Sequence, residues 1–453
     1  MDNKLYSIFE KSFGYESKIF TELFADKDSR PIVKLDDIQH KMKYTAKNKI
    51  VKPQNHFGQR KLLLSEIQFL NKVSNEYILY AGSAPGNKSY LLSLLYPEKK
   101  FILVDPNEYK IIVDKHIHRE IKHPDIIHLY HHYPTKSNVY DDNRKQYDAN
   151  MVEFIKKSHH KIFILEDYMT DSLAELFKSL NPAFISDIRT NIYNSDYPKN
   201  IDIYWNTSMQ YKWMKILQAE SLFKIRLPFG ENLDTIPENI IIEEPFLSDY
   251  NSNKFSFPLS DMYIQAWAPV SSTEMRFHVK PENIDNFIYY DAEVIEDKFF
   301  YYNNINRGYI VHDNPNSNKK IHFCKCNDCA LENIILSEYM ELYPDKFNDI
   351  YEFIDIIDKY TGKILKKFHK NNIYENIITP EQLISFLNMI EKNKVDGIKK
   401  KYDNRGITGQ EIIGGYDEKN IIIISIILIL ILLIIIFCFI YYQYDNFFKY
   451  SIG

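Results

Sequence analysis

Apolar residues fall in short runs separated by glycine, proline and polar residues, and these runs give the first reading of the chain. Ile78–Ala81 is apolar and β-prone, as a buried strand would be. Gly82-Ser83-Ala84-Pro85-Gly86 follows as a turn, and Leu91, Leu92 and Leu95 then repeat at helical spacing. Further strands are predicted at Phe101–Val104, Lys161–Leu165, Ala183–Ser186 and Ser221–Leu227, and one more beginning at Glu274 and Arg276. Helices are predicted at Ser172–Leu180 and around Ser208–Gln218. Strands alternating with helices describe an α/β chain with a doubly wound, largely parallel sheet. Residues 106–160 read as an insertion. His116, His118, His123, His128, His131 and His132 within it lack the cysteine or carboxylate spacing of a metal site. After residue 280 the pattern turns helical, at Ala330–Tyr343 and Asp345–Tyr360. A third helix opens on Thr379-Pro380-Glu381-Gln382, with the N-cap threonine, N1 proline and N3 glutamine of a capping box. Leu5, Ile8, Phe9, Ile19, Phe20, Leu23 and Phe24 predict helical packing near the start.

Polar residues at the ends of these strands carry the candidate chemistry. Two glycines in the first βα turn let the backbone come close to a ligand without a Cβ in the way. The turn is not G-x-G-x-x-G, which argues against an ordinary dinucleotide site and suits an adenosine ligand without a pyrophosphate. Asp105 ends the next strand, placed to accept hydrogen bonds from ribose hydroxyls. Asp187 ends another strand, where open α/β sheets bind ligands. Lys224 lies inside an apolar strand and needs a carboxylate or a route to solvent. Lys61 stands in the first turn of a helix, where a cation opposes the dipole, so something else should hold it. From Lys41 to Ser65 there are basic residues and no acidic ones until Glu66, with Tyr44, His56 and Phe57 interleaved, a composition suited to phosphate contacts and base stacking.

Composition adds three constraints. The 453 residues are 45% hydrophobic with a net charge of −5, so there is core enough for several domains and no general attraction to nucleic acid. The 4 cysteines do not form a secreted disulfide framework. Three of them, with a histidine, form the set His322, Cys324, Cys326 and Cys329, a candidate zinc site of tight spacing. Ile421–Ile440 is almost unbroken Ile, Leu and Phe, followed by Tyr441, Tyr442 and Tyr444. That pattern predicts a transmembrane helix, and the lysines before it predict a large cytosolic N-terminal part or one inside a virion.

Taken in order, Gly58-Gln59-Arg60-Lys61-Leu62-Leu63-Leu64, Gly82-Ser83-Ala84-Pro85-Gly86, Ile185-Ser186-Asp187-Ile188-Arg189, Lys224 with Pro228-Phe229, and Ala268-Pro269 with Ser272-Thr273-Glu274-Met275-Arg276 are a recognisable series. The chain resembles the cap-specific mRNA 2′-O-methyltransferases of poxviruses and related large DNA viruses, within the FtsJ-like class, over roughly residues 40–280. The resemblance implies S-adenosylmethionine as cofactor and a Lys-Asp-Lys-Glu set at Lys61, Asp187, Lys224 and Glu274, with Lys224 the candidate base. It implies a cofactor site at Gly82, Ser83, Ala84, Pro85, Gly86, Asp105, Tyr168 and Ile188. The cap would stack on Phe229, with Tyr44 as second ring, Glu231 at the guanine edge and Arg189 on the RNA. A membrane anchor and a long insertion depart from the poxvirus pattern.

The resulting organisation is an N-terminal arm at 1–56, a methyltransferase domain at 57–280 and a small α-rich domain at 281–390. A linker at 391–419, a transmembrane helix at 420–442 and a short tail at 443–453 complete it. The expected partners are capped mRNA, a membrane and other viral mRNA-processing proteins. The competing expectation is a catalytically silent RNA-binding or virion structural protein on the same fold. Methyl transfer to capped but not uncapped RNA separates the two.

Overall fold

The computed structural model describes residues 31–39, 41, 44, 57–113, 116–118, 123–129, 149–195, 198–230, 232, 234–269, 272–307 and 327–361. The expected N-terminal helix, Glu231, His322, Cys324, Cys326, the helix at Thr379 and the apolar run Ile421–Ile440 lie outside them. Among the described residues no helix is long and apolar enough to cross a membrane.

The core is an eight-stranded sheet. Its strands are β1 (Tyr77–Ala81), β2 (Lys100–Val104), β3 (Ile126–His128), β4 (Ile162–Leu165), β5 (Ala183–Ser186), β6 (Ser221–Ile225), β7 (Asp261–Tyr263) and β8 (Met275–Val279). Their spatial order is β7-β8-β6-β5-β1-β2-β4-β3. From β3 through β6 all neighbours run parallel, while β8 runs antiparallel to both β6 and β7. Ile78–Ala81, Phe101–Val104, Ile162–Leu165 and Ala183–Ser186 are wholly buried, which is why they read as unbroken apolar runs.

Strand order reverses beside β1: the chain steps outward to β2 and β4, then returns to β5 on the other side. A crevice therefore opens at the carboxyl ends of β1 and β5, where sheets of this kind bind ligands. The antiparallel direction of β8 matters as much. Its first residues, not its last, lie at this same end, so Glu274 enters the crevice from the beginning of a strand. In the β6–β8 register Lys224 and Arg276 stand directly opposite each other.

Nine helices are described: α1 (Gly58–Leu70), α2 (Ser89–Leu95), α3 (Ala149–Lys157), α4 (Asp171–Phe177), α5 (Asn200–Leu217), α6 (Phe246–Ser252), α7 (Ala292–Tyr301), α8 (Asn327–Leu342) and α9 (Ile350–Thr361). α8 and α9 pack on α1, while α4 packs on α5. α5 begins at Asn200 rather than near Ser208, because Asp202 caps it from inside, accepting from Lys199 N at 3.0 Å. Its first turns are buried on several faces, which hides the helical period. α9 starts at Ile350 rather than Asp345, where Asp349 Oδ1 accepts from Glu352 N at 2.9 Å. The stretch read as an insertion supplies the edge strand β3, helix α3 and a hairpin of Ile111–Val113 with His116–His118. Strands of three residues are too short to show a period.

Candidate active site

Lys61, Asp187, Lys224 and Glu274 come from four separate elements and converge at the crevice. Lys61 Nζ lies 2.6 Å from Glu274 Oε1, and Lys224 Nζ lies 2.8 Å from Asp187 Oδ1. Lys224 Nζ is also 4.0 Å from Glu274 Oε2, which joins the two pairs. The cost anticipated for each lysine is thus met by a carboxylate from another strand or loop.

Sequence reading gave no role to Arg276, yet it sits between the acids. Its guanidinium is 3.4 Å from Asp187 and 3.8 Å from Glu274. With its amide oxygen turned toward Arg276 Nε at 2.8 Å, Gln265 also places its nitrogen 3.0 Å from Glu274 Oε1. Burial alone would raise the Asp187 carboxyl, but Arg276 and then Lys224 hold it well below the usual carboxylate range. Burial opposes ionisation of Glu274 too, and Arg276, Lys61 and Lys224 pull it below its ordinary value. Lys61 moves down, chiefly through burial, against the pull of Glu274. Three basic side chains thus face two carboxylates.

The glycine turn follows β1 and meets the end of β5. Gly82 has φ +76°, and a Cβ there would lie 2.8 Å from both the Asp187 carbonyl carbon and the Ile188 nitrogen. Gly86 has φ +65°, and a Cβ there would lie 2.9 Å from the Tyr109 ring. Both glycines are therefore required by close approach, but to this chain's own backbone and ring rather than directly to a ligand. Ser83 Oγ and Tyr109 Oη share a 2.6 Å hydrogen bond. Asp105 Oδ2 accepts from Ala84 N at 3.1 Å, and its Oδ1 accepts from Asn107 N and Nδ2 at 2.9 and 2.8 Å. Asp105 thus fixes the turn and keeps acceptor capacity on Oδ2. Gly82→Ala is expected to cost about 1–3 kcal/mol in urea unfolding, since a side chain at this φ is strained even before the clash. It should weaken binding at the crevice as well, because the β1 turn and Asp187 are pushed apart.

Ile188, Arg189, Lys224, Arg226 and Glu274 line a recess with Asn206 and Gln210 of α5. Asn206 Oδ1 and Gln210 Oε1 are buried there without hydrogen-bond partners. Arg226, Asn206 and Gln210 were not read from the sequence, because a two-residue offset on a strand and an i,i+4 pair of amides carry no distinctive signal. Neither Arg189 nor Arg226 makes an ion pair among the described residues; burial and then Arg189 lower Arg226, against the pull of Glu274 across the recess.

The remaining candidates are dispersed. Tyr168 is partly exposed beyond the end of β4. Phe229 follows β6, and its backbone is clamped by Asn200, which donates to its carbonyl at 2.9 Å and accepts from its N–H at 3.2 Å. Tyr44 lies edge-on to Phe300 at 5.4 Å between ring centroids and donates its N–H to Asp297. No ring contact joins Tyr44 to Phe229 among the described residues. Cys329 is buried on α8, and no cluster of potential metal ligands occurs among the described residues.

A family model described as poly A polymerase regulatory subunit matches residues 27–161. The chain is also similar to the cap-specific mRNA (nucleoside-2′-O-)-methyltransferases of Myxoma virus strains Lausanne and Uriarra. Each is 25% identical over 307 residues, covering 65% of this chain and 75% of the relative.

Proposed function

We propose that this chain transfers a methyl group from S-adenosylmethionine to the ribose 2′-hydroxyl of the first transcribed nucleotide of capped mRNA. The observation that carries the reading is the meeting of Lys61, Asp187, Lys224 and Glu274 beside the β1 turn, within 4.0 Å links, from four distant segments. The similarity to cap methyltransferases supports the same reading.

The crevice suits the methyl donor. Asp105 at the end of β2 has room on Oδ2 for a ribose hydroxyl. Ile188 and Tyr168 offer apolar and aromatic surface at the ends of β5 and β4 for a purine. When bound, S-adenosylmethionine supplies an electrophilic methyl on a positively charged sulfur.

The chain's residues do the rest. Asp187 and Glu274 hold the two lysine nitrogens at fixed separations, which aligns the acceptor hydroxyl for an in-line attack. Lys224, in its uncharged form, takes the hydroxyl proton at Nζ as the new C–O bond forms. The fixed cations Arg276 and Lys61 favour the oxygen as negative charge develops on it. Arg189 and Arg226 are placed to meet phosphate oxygens of the RNA next to the methylated ribose. Phe229 offers its ring to the cap, since a methylated guanine is cationic and favours an aromatic face.

The test is labelled methyl transfer by the full chain to three RNAs: capped, uncapped, and capped with the first ribose already methylated. Transfer to the first alone is expected. Cofactor binding without transfer, or equal labelling of capped and uncapped RNA, would overturn the proposal.

A further inference from the structure

Helices α8 and α9 lie beyond the stretch that carries the catalytic motifs, yet they reach Arg60, next to Lys61, and α8 reaches Trp267, in the loop before Glu274. Arg60, the neighbour of Lys61, is fully buried. Its Nη2 lies 2.5 Å from Glu332 Oε1 on α8, and its Nη1 lies 2.6 Å from Asp358 Oδ1 on α9. The same Glu332 carboxylate accepts from Trp267 Nε1 at 2.6 Å through its other oxygen. Trp267 begins the loop that leads to Glu274.

Other bonds brace the same two segments. Trp267 O accepts from Phe57 N at 3.2 Å, across the start of α1. Trp267 N donates to Asp328 Oδ1 at 3.1 Å. Arg307 donates to Ala268 O at 2.8 Å and pairs with Asp328 at 3.0 Å. Asn303 Nδ2 donates to Ser272 O at 3.3 Å.

A buried ion pair is weak evidence of stabilisation, because desolvation offsets much of the attraction. Its location is the informative part. One carboxylate bonds both the residue before Lys61 and the loop before Glu274, and those two residues form the 2.6 Å pair. We infer that Glu332 is a positioning residue for the Lys61–Glu274 pair, so that the helices after residue 300 complete the catalytic centre instead of forming a separable accessory layer. This rests on the methyltransferase reading only for its effect on turnover; the mechanical tie stands on geometry.

The experiment compares Glu332→Gln, Trp267→Phe and Tyr339→Phe in the full chain. Glu332→Gln keeps the shape and one acceptor but removes one of the two charges facing Arg60, leaving Asp358. Trp267→Phe deletes the indole donor together with part of the ring volume and serves if the first variant does not fold. Tyr339→Phe is the control: its hydroxyl bonds Leu95 O at 2.6 Å and fixes α8 to α2 away from the pair. Measured are kcat and KM with capped RNA, cofactor affinity, and hydrogen exchange over residues 57–61 and 268–275. Glu332→Gln should lower kcat by about tenfold or more, since small misplacements of reacting groups are costly. KM and cofactor affinity should change by less than about twofold, and exchange should quicken in both segments. Trp267→Phe should quicken exchange in residues 268–275 and lower kcat less. Tyr339→Phe should change neither exchange in these segments nor kcat. The inference fails if kcat and exchange are unchanged in Glu332→Gln, or in Trp267→Phe should the first not fold. It also fails if the control loses as much turnover for the same loss of stability. A wild-type chain that transfers no methyl would sink the functional reading instead, and exchange would still decide whether Glu332 ties the two segments.

Discussion

Lys224→Met is expected to lower methyl transfer to capped RNA by about 10²–10⁴-fold, the usual range for loss of a positioned proton acceptor. Methionine preserves the length and apolar stem, so strand β6 should keep its place. Its loss leaves Asp187 with Arg276 as remaining partner, so the carboxylate stays compensated and the fold should survive. Cofactor affinity should be nearly unchanged, since the β1 turn and Asp105 are untouched. The measurement pairs single-turnover transfer with calorimetric binding of the cofactor. Near wild-type turnover would remove Lys224 from the proton step and shift attention to Lys61, the other ammonium of the group.

Arg276→Met should have the largest effect on stability. Removing one partner of a buried ion pair costs about 3–5 kcal/mol. We expect about 3 kcal/mol, the low end, because Lys224 and Lys61 remain to neutralise Asp187 and Glu274. Urea unfolding at neutral pH measures this. The pH dependence should change as well. Asp187 and Glu274 are both held below their unfolded values, so their contribution is complete above the ordinary carboxylate range and lost as pH falls through the folded values. Arg276 is the main charge lowering both. Without it both carboxylates rise, and acid unfolding should begin at higher pH than in wild type. An unshifted acid limb would mean that Lys224 and Lys61 alone set these groups.

Much of this was legible from residue order. The β1 strand, its glycine turn and the acids ending β2 and β5 follow from short apolar runs broken by polar residues. Lys61 and Lys224 announced themselves as cations in places where a cation needs a partner. Their partners came with the family resemblance and not with the pattern, because periodicity describes one element and the pairs join four. Arg276 was missed for a related reason: an arginine alternating with apolar residues reads as the solvent face of a strand, whereas here that face is covered. The reason for the glycines was also hidden, since close approach to a ligand and to Asp187 demand the same residue. The edge strand β3 escaped because three residues within a histidine-rich stretch carry no pattern.

The opposed placement of Lys224 and Arg276 on neighbouring strands bears on assembly. Like charges facing across an antiparallel pair repel. Here Asp187, delivered by the strand on the far side of β6, lies against both and cancels the repulsion. A chain that brought 275–279 beside 221–225 before 183–186 had docked would set two cations face to face with Glu274 alone, at 3.8 and 4.0 Å, to offset them. The last strand can therefore add comfortably only to a sheet whose middle is already correct, and the same acid that serves chemistry acts as a proofreader of the fold.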